Sequence, residues 1–114
     1  MNNKMDYKNL AFRISKLAED KKAENIQAFD ISSISSFTEV IMIVTARTPV
    51  HIKALMRELK KKMKEARPDH VEGDPSGGWV LMDYDGLVLN IFTPGVRDFY
   101  SLERLWGDGE KINV

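Results

Sequence analysis

The sequence predicts a single α/β domain in which helices flank a mixed sheet of four to five strands. Three observations lead to this prediction. First, 114 residues suffice for one domain with one hydrophobic core. Second, the patterns follow the order helix, strand, strand, helix, hairpin and short helix, and the strand–helix–strand step between residues 40 and 80 permits a right-handed parallel crossover. Third, the hairpin adds an antiparallel pair of strands, which makes the sheet mixed.

The first part of the chain predicts one helix and two strands. Residues 7–22 repeat apolar side chains at helical spacing, and Asp6 is a suitable N-cap. Residues 26–31 alternate between apolar and polar, which predicts a strand. Residues 39–45 contain a continuous β-branched run, which is typical of a strand covered on both faces.

A second helix and a polar loop follow. Thr48 provides an N-cap, and Pro49 stands at the first helical position, where its missing N–H costs nothing. Residues 67–78 are expected to form the loop. Pro68 ends the helix, whose predicted buried stripe comprises Ile52, Leu55, Met56, Leu59, Met63 and Ala66.

The C-terminal part repeats the helix-start signal. Thr93 and Pro94 open a short helix that is predicted to continue to Trp106. Residues 109–114 show no periodicity, so we expect a loose tail after a domain that spans residues 1–108.

The stretch between these helices predicts a β-hairpin with two different faces. Asp85 and Gly86 lie between two apolar runs, which favours a two-residue type I′ turn with positive φ at both residues. That turn fixes the pairing, and side chains alternate between the faces along each strand. The face predicted to meet the core carries Val80, Met82, Tyr84, Leu87, Leu89 and Ile91.

The other face of the hairpin mixes large apolar groups with polar ones. The register places Trp79 beside Phe92, Leu81 beside Asn90 and Asp83 beside Val88. Because a buried carboxylate is costly without a partner, this mixture favours a docking surface. The alternative is that a helix of the protein covers Trp79, Leu81 and Phe92, which would then be core residues.

Composition and charge exclude several classes of protein. With 17 basic and 17 acidic residues the formal net charge is +0, which argues against a protein that binds nucleic acid through its overall charge. The absence of Cys excludes disulfides and thiolate metal sites. No apolar run approaches the roughly 20 residues of a membrane span, and the start of the chain lacks the pattern of a signal or transit peptide. We expect a cytoplasmic protein that does not bind membranes.

The sequence predicts no catalytic, metal or cofactor site. Asp83 and Asp85 would hold a divalent metal for nucleotidyl transfer if one strand continued through both, but Asp85 is better explained by the turn. The glycines of residues 73–78 match no phosphate-binding loop. His51 and His70 lack a third ligand at metal-binding spacing. We therefore predict no enzyme activity, and a metal-dependent nucleotidyltransferase is the alternative.

A cluster of cations lies at the end of the second predicted helix. Residues 57–67 contain six basic and two acidic side chains. A solvated helix end explains the cluster, because cations are favoured at a helix C-terminus. The alternative is an RNA-binding module in which Lys60, Lys61 and Lys64 contact a phosphate backbone.

Four segments in the second half of the chain carry a distinctive pattern. They are Val-Glu-Gly at 71–73, Trp-Val-Leu-Met-Asp-Tyr at 79–84, Ile-Phe-Thr-Pro at 91–94 and Arg-Asp-Phe-Tyr-Ser-Leu-Glu-Arg-Leu-Trp-Gly-Asp at 97–108. Together with residues 36–39 and 51–55, they resemble the ribosomal silencing factor family, also called RsfS or Iojap. The resemblance extends over about residues 7–108.

This resemblance implies both a fold and a function. The fold would be similar to that of nucleotidyltransferases, without catalytic activity or cofactor. The partner would be large-subunit ribosomal protein fourteen, on the face that joins the small subunit, so that binding sterically blocks subunit joining and represses translation. The chain departs from the family pattern at Ala46, where Gly is usual, and at Asn90, where His is frequent.

We therefore predict a partner-binding surface on the mixed hairpin face and at its ends. Trp79 and Leu81 are expected to be its apolar anchors, since aromatic residues dominate interface energetics. The Asp83 carboxylate would accept a hydrogen bond from a basic group of the ribosomal protein, which would help to fix the alignment of the two proteins. An exposed apolar face can also pair with itself, which leaves a weak homodimer open. The predicted contact residues are Trp79, Leu81, Asp83, Tyr84, Val88, Asn90, Phe92, Arg97 and Tyr100.

Overall fold

Six strands form one mixed sheet in the part of the chain that the computed structural model describes, residues 6–114. In chain order the elements are α1 (Tyr7–Asp20), β1 (Glu24–Asp30), β2 (Val40–Thr45), α2 (Pro49–Lys62), β3 (His70–Asp74), β4 (Trp79–Asp83), β5 (Leu87–Phe92), α3 (Pro94–Tyr100), α4 (Leu102–Leu105) and β6 (Glu110–Ile112). Across the sheet the order is β3-β4-β5-β2-β1-β6, with β2 and β5 parallel and the other neighbours antiparallel. The predicted mixed α/β domain is confirmed, but four to five strands were too few.

The two additional strands lie in segments that were predicted to be irregular. β3 falls within the predicted polar loop 67–78, and β6 falls within the predicted loose tail 109–114, so both predictions are wrong there. All five residues of β3 are exposed, and β6 pairs with β1 at the opposite edge of the sheet. Exposed edge strands need no apolar alternation, which is the pattern that reveals a strand in a sequence.

Both long helices begin at the predicted N-caps. The Asp6 carboxylate accepts two backbone N–H groups of the first turn of α1, at 3.1 Å each. The Thr48 hydroxyl accepts the backbone N–H of His51 at 3.1 Å, with Pro49 at the start of α2. Such bonds satisfy N–H groups that have no partner within the helix. No helix among residues 6–114 is both long and apolar enough to cross a membrane.

The helix ends differ from the prediction. α1 ends before Lys22, whose φ of 67° is left-handed. α2 ends at Lys62, before Met63 and Ala66. Both residues are nevertheless buried, because the segment after the helix still packs against the core. Ser101 has a φ of 49° and divides the predicted C-terminal helix into α3 and α4.

The sheet carries a core on each face. α1 and α2 cover one face, and the six hairpin residues predicted for the core all belong to it. α3 and α4 lie on the other face, around Phe29, Ile31, Ile41, Ile43 and Phe92. β2 lies between the two cores, and all six of its residues are buried, as its β-branched run predicts.

The hairpin has the predicted register. Trp79 pairs with Phe92, and the pairing continues in step as far as Asp83 with Val88. The parallel neighbour of β2 is β5, the second strand of the hairpin, whereas the predicted crossover ended at the first strand. The register therefore fixes which hairpin residues share a face.

The turn of the hairpin differs from the predicted type. Asp85 has a φ of 79°, but Gly86 has no positive φ, so the type I′ turn is wrong. The N–H of Gly86 donates to the carbonyl of Tyr84 at 3.1 Å, which closes a γ-turn around Asp85. Gly86 is required for space, because a Cβ there would lie 2.1 Å from the ring of Tyr7.

Candidate partner-binding surface

The mixed hairpin face is buried along β5 and partly open along β4. Phe92, Asn90 and Val88 are 0%, 1% and 7% exposed, so the expectation that they lie on an open face is wrong. β5 is an inner strand, and its residue Phe92 belongs to the second core, whereas β4 has only the edge strand β3 beyond it. The three β4 residues of this face, Trp79, Leu81 and Asp83, are half-buried.

Asn90 has a structural role beneath Trp79. Its Oδ1 accepts the indole N–H of Trp79 at 3.0 Å, and its Nδ2 donates to the carbonyl of Met42 at 3.3 Å. A buried amide is tolerated when its groups are hydrogen-bonded. Asn90 therefore orients the indole ring and is not itself available to a partner.

Three aromatic side chains form what we call the aromatic ridge: Trp79, Tyr100 and Phe99. The Trp79 ring stacks on buried Phe92, with centroids 4.9 Å apart, and packs at 4.7 Å against Tyr100. Phe99 meets Tyr100 edge-on at 5.0 Å. Exposure rises along the ridge, from half-buried Trp79 to 48% for Tyr100 and 80% for Phe99. The ridge thus has one end in the core and one in solvent.

Sequence reasoning missed Phe99 as a surface residue. Phe99 and Tyr100 are consecutive in α3, and adjacent residues on a helix do not face the same side. That spacing was the available signal that they could not both be buried. Phe37 and Leu105, 66% and 63% exposed, are further apolar groups that the sequence did not single out.

Arg97 was predicted to contact a partner, but it is 4% exposed. Its guanidinium donates to the backbone carbonyl of Asn25, to the Thr45 hydroxyl at 2.8 Å, to Gln27 Oε1 at 3.2 Å and to Glu103 Oε2 at 3.0 Å. These bonds use the planar, five-donor geometry of the group. Arg97 therefore connects α3 with β1, β2 and α4, and its side chain lies inside the fold.

Tyr84 is also buried, at 6% exposed, and it belongs to the core under α1 and α2. Burial raises the pKa of its phenol to about 12. Because that core is on the α1 and α2 side of the sheet, the Tyr84 side chain lies on the opposite face from the aromatic ridge.

Asp83 and Asp85, the two candidate metal-binding carboxylates, make hydrogen bonds at the hairpin turn. Asp83 Oδ1 accepts the backbone N–H of Asp85 at 2.8 Å, and the Asp85 carboxylate accepts the Tyr7 hydroxyl at 3.5 Å. Within residues 6–114 no group of three or more His, Asp or Glu side chains is placed to hold a metal ion. The structure thus gives the nucleotidyltransferase alternative no further support.

The acidic residues near the end of α2 are paired with cations. The Glu58 carboxylate oxygens lie 3.7 Å from Nζ of Lys21 and 3.8 Å from Nζ of Lys62. Glu65 pairs with Arg13. Lys60, Lys61 and Lys64 form no ion pair within the described part of the chain. Their contact with ribosomal RNA stays a prediction.

A sequence profile described as "Ribosomal silencing factor during starvation" matches residues 4–114. The chain belongs to this family. A ribosomal silencing factor RsfS from Chromobacterium violaceum is 40% identical over 104 residues, which cover 86% of this chain and 84% of the relative. The chloroplastic protein Iojap from Arabidopsis thaliana is 31% identical over 114 residues, 96% of this chain and 47% of that longer protein.

A solved structure has the same fold as this family member. The crystal structure of a Chromobacterium violaceum protein superposes with a TM-score of 0.83 at 31% sequence identity, and the match covers 90% of this chain and 88% of that one. The relationship to nucleotidyltransferases stays a prediction.

Proposed function

We propose that this ribosomal silencing factor binds the large ribosomal subunit, blocks its joining to the small subunit and so represses translation. Silencing is the function that the family description names. The proposed partner is large-subunit ribosomal protein fourteen, as the resemblance implies. Binding there would place the protein in the cytoplasm with the ribosome.

The aromatic ridge is the observation that carries this proposal. A Phe that is 80% exposed beside a Tyr that is 48% exposed gives an apolar surface that a partner can cover. The Trp79 end of the ridge is held by the hydrogen bond to Asn90 and by the stack on Phe92. A ring that is already ordered loses little entropy on binding, which favours affinity.

Leu81 and Asp83 extend the ridge along β4. Leu81 adds an apolar contact, and the Asp83 carboxylate can accept from a basic group of the ribosomal protein. We narrow the contact surface to Trp79, Leu81, Asp83, Phe99 and Tyr100, because the other predicted residues are buried.

The proposed mechanism is steric. The domain measures 41 × 32 × 23 Å, which is large enough to present the roughly 800 Å² of a standard interface. A bound copy would occupy the space in which the two subunits meet. No bond needs to be made or broken.

Sedimentation with separated ribosomal subunits tests this proposal. The wild-type protein is expected to sediment with large subunits but not with small ones, and to lower the yield of joined ribosomes. Phe99→Glu should weaken binding by about tenfold or more, because it places a charge at the exposed end of the ridge. Val50→Glu is the matched control, since Val50 is 73% exposed on α2 and lies away from the ridge.

Two outcomes would contradict the proposal. One is equal sedimentation of Phe99→Glu and wild type. The other is binding to large subunits without any decrease in joined ribosomes. A homodimer through the ridge is a competing state, and size-exclusion chromatography of wild type against Phe99→Glu measures it.

A further inference from the structure

A second apolar surface lies on the opposite side of the sheet. A groove of about 480 Å³ opens between the C-terminal half of α2, the segment after it, and strands β3 and β4. This volume falls in the range of ligand-binding clefts. Met56, Pro68 and Val71 are the partly or fully exposed apolar residues of its lining. Its floor consists of the buried residues Leu59, Met63, Ala66, Met82 and Tyr84. Met82 and Tyr84 belong to the core under α1 and α2, so the groove is separate from the aromatic ridge.

The rim of the groove is positively charged. Arg57, Lys60 and Arg67 line it, and none of the three forms an ion pair within residues 6–114. Residues 1–5 contain no acidic side chain that could neutralise them. The nearby Glu58 and Glu65 are already paired with other cations. The rim therefore favours an anionic occupant.

One wall of the groove is an open strand edge. β3 is the outermost strand and pairs with β4 on its inner side. Val71 lies in β3, is 43% exposed and lines the groove. An edge strand presents backbone N–H and C=O groups that an added strand can pair with. Because side chains alternate along a strand, every second side chain of such a segment would point into the groove.

We propose that the groove binds an extended acidic segment of a partner protein. The segment would pair with β3 and turn one of its two faces to the groove. On that face, apolar side chains would contact Met56 and Val71 above the buried Met63 and Met82, and carboxylates would reach the cationic rim. Flexible Met side chains adapt to different apolar groups. A nucleic acid fits less well, because Tyr84, the aromatic residue of the lining, is buried and offers no exposed ring for base stacking. Since the two surfaces lie on opposite faces, a ribosome-bound copy could hold this second protein at the same time.

Methyl NMR of the full chain tests the proposal with methionine as the probe. The labelled protein is titrated with the peptide Glu-Thr-Leu-Thr-Val-Thr-Glu and, separately, with Lys-Thr-Leu-Thr-Val-Thr-Lys, each of which carries its charged and apolar side chains on one face of an extended strand. The acidic peptide should shift the methyl signals of Met56, Met63 and Met82. Met42 is the internal control, because it is buried like Met63 and Met82 but does not line the groove. The basic peptide should leave all four signals in place.

Charge reversal at the rim provides matched variants. Lys60→Glu with Arg67→Glu should weaken binding of the acidic peptide by about tenfold or more. Lys16→Glu with Arg104→Glu makes the same change of charge on α1 and α4 and should leave binding unchanged. Both double variants are at exposed positions, so neither is expected to unfold the domain.

Three results would overturn the proposal. The first is the absence of shifts with about 1 mM acidic peptide, which is the weak end of specific binding. The second is equal shifts with the two peptides. The third is displacement of the acidic peptide by a uridine decamer, which would assign the cations to nucleic acid. None of these results depends on whether the aromatic ridge binds the ribosome.

Discussion

The indole nitrogen of Trp79 donates a hydrogen bond to Oδ1 of Asn90 at 3.0 Å, across the two strands of the hairpin. The same amide donates to the carbonyl of Met42 in β2. One buried side chain therefore joins three adjacent strands and orients the first ring of the aromatic ridge. Core packing and the proposed binding surface meet at this contact.

Asn90→Ala should lower the free energy of unfolding by about 2 kcal/mol. The substitution removes two hydrogen bonds and leaves the indole N–H of Trp79 without its acceptor. Urea denaturation measures the change. Leu81→Ala is a matched control on the same face, where a half-buried side chain leaves no polar group unpaired. A loss below about 0.5 kcal/mol for Asn90→Ala, the range of ordinary surface substitutions, would contradict the structural role.

Trp79→Ala and Phe99→Ala should separate stability from binding. Trp79→Ala removes the contacts with Phe92 and Tyr100, so it should weaken large-subunit binding by about 2 kcal/mol and also lower stability by about 1–2 kcal/mol. Phe99→Ala should weaken binding while stability changes by less than about 0.5 kcal/mol, because Phe99 is 80% exposed. Sedimentation and thermal melting measure the two effects. If Trp79→Ala lowers only the melting temperature, Trp79 is a core residue and does not contact the partner.

The two faces of the hairpin could be predicted from the sequence, but their coverage could not. Strand periodicity and a two-residue turn determine that Trp79 and Phe92 share a face. They do not determine that Phe92 lies on an inner strand under α3 while Trp79 lies one strand further out. That difference depends on the order of strands in the sheet, which is set by contacts distant in sequence.

The same reasoning explains the missed strands and the misassigned Arg97. β3 and β6 are held by backbone pairing at the sheet edges, and backbone pairing leaves no signature in side-chain pattern. Arg97 carries a charge, and charged residues are rarely fully buried unless they are paired. Its acceptors lie in residues 25–45 and at Glu103, so only the folded chain brings them together.

Arg97→Met should lower the free energy of unfolding by about 3 kcal/mol, since it leaves Glu103 and the acceptors of β1 and β2 without their donor. Arg97→Lys should recover only part of this loss, because an ammonium group cannot reach four acceptors in one plane. Denaturant unfolding measures both. Arg104→Met is the control, since Arg104 is exposed on α4. Equal stabilities of Arg97→Met and Arg104→Met would refute the bridging role.

Gly86→Ala should destabilise the domain by about 2 kcal/mol, because the new methyl group would meet the ring of Tyr7. Replacing Tyr7 by Ala in the Gly86→Ala variant removes the ring that the new methyl group meets. This double variant should therefore regain the stability that Gly86→Ala loses through the clash. Gly95→Ala is the matched control, because a Cβ there meets nothing within 4 Å and Ala favours a helix. Thermal melting of the four proteins decides the matter, and an unchanged melting temperature for Gly86→Ala would exclude the close contact.

Burial of Tyr84 predicts a specific loss of stability at high pH. Burial raises the pKa of its phenol from 10.0 to about 12, so the unfolded chain releases this proton first as the pH rises. The stabilisation that the buried neutral phenol gives to the fold is therefore complete below pH 10 and declines between pH 10 and about 12. At 1.36 kcal/mol per pKa unit, the free energy of unfolding falls by at most about 2–3 kcal/mol. Between about pH 9 and 11.5, wild type should lose about 2 kcal/mol more than Tyr84→Phe, in which the ring stays and the proton is absent. Urea unfolding at both pH values measures this difference, and an absorbance titration in which all three tyrosines ionise together near pH 10 would show that the phenol is not buried.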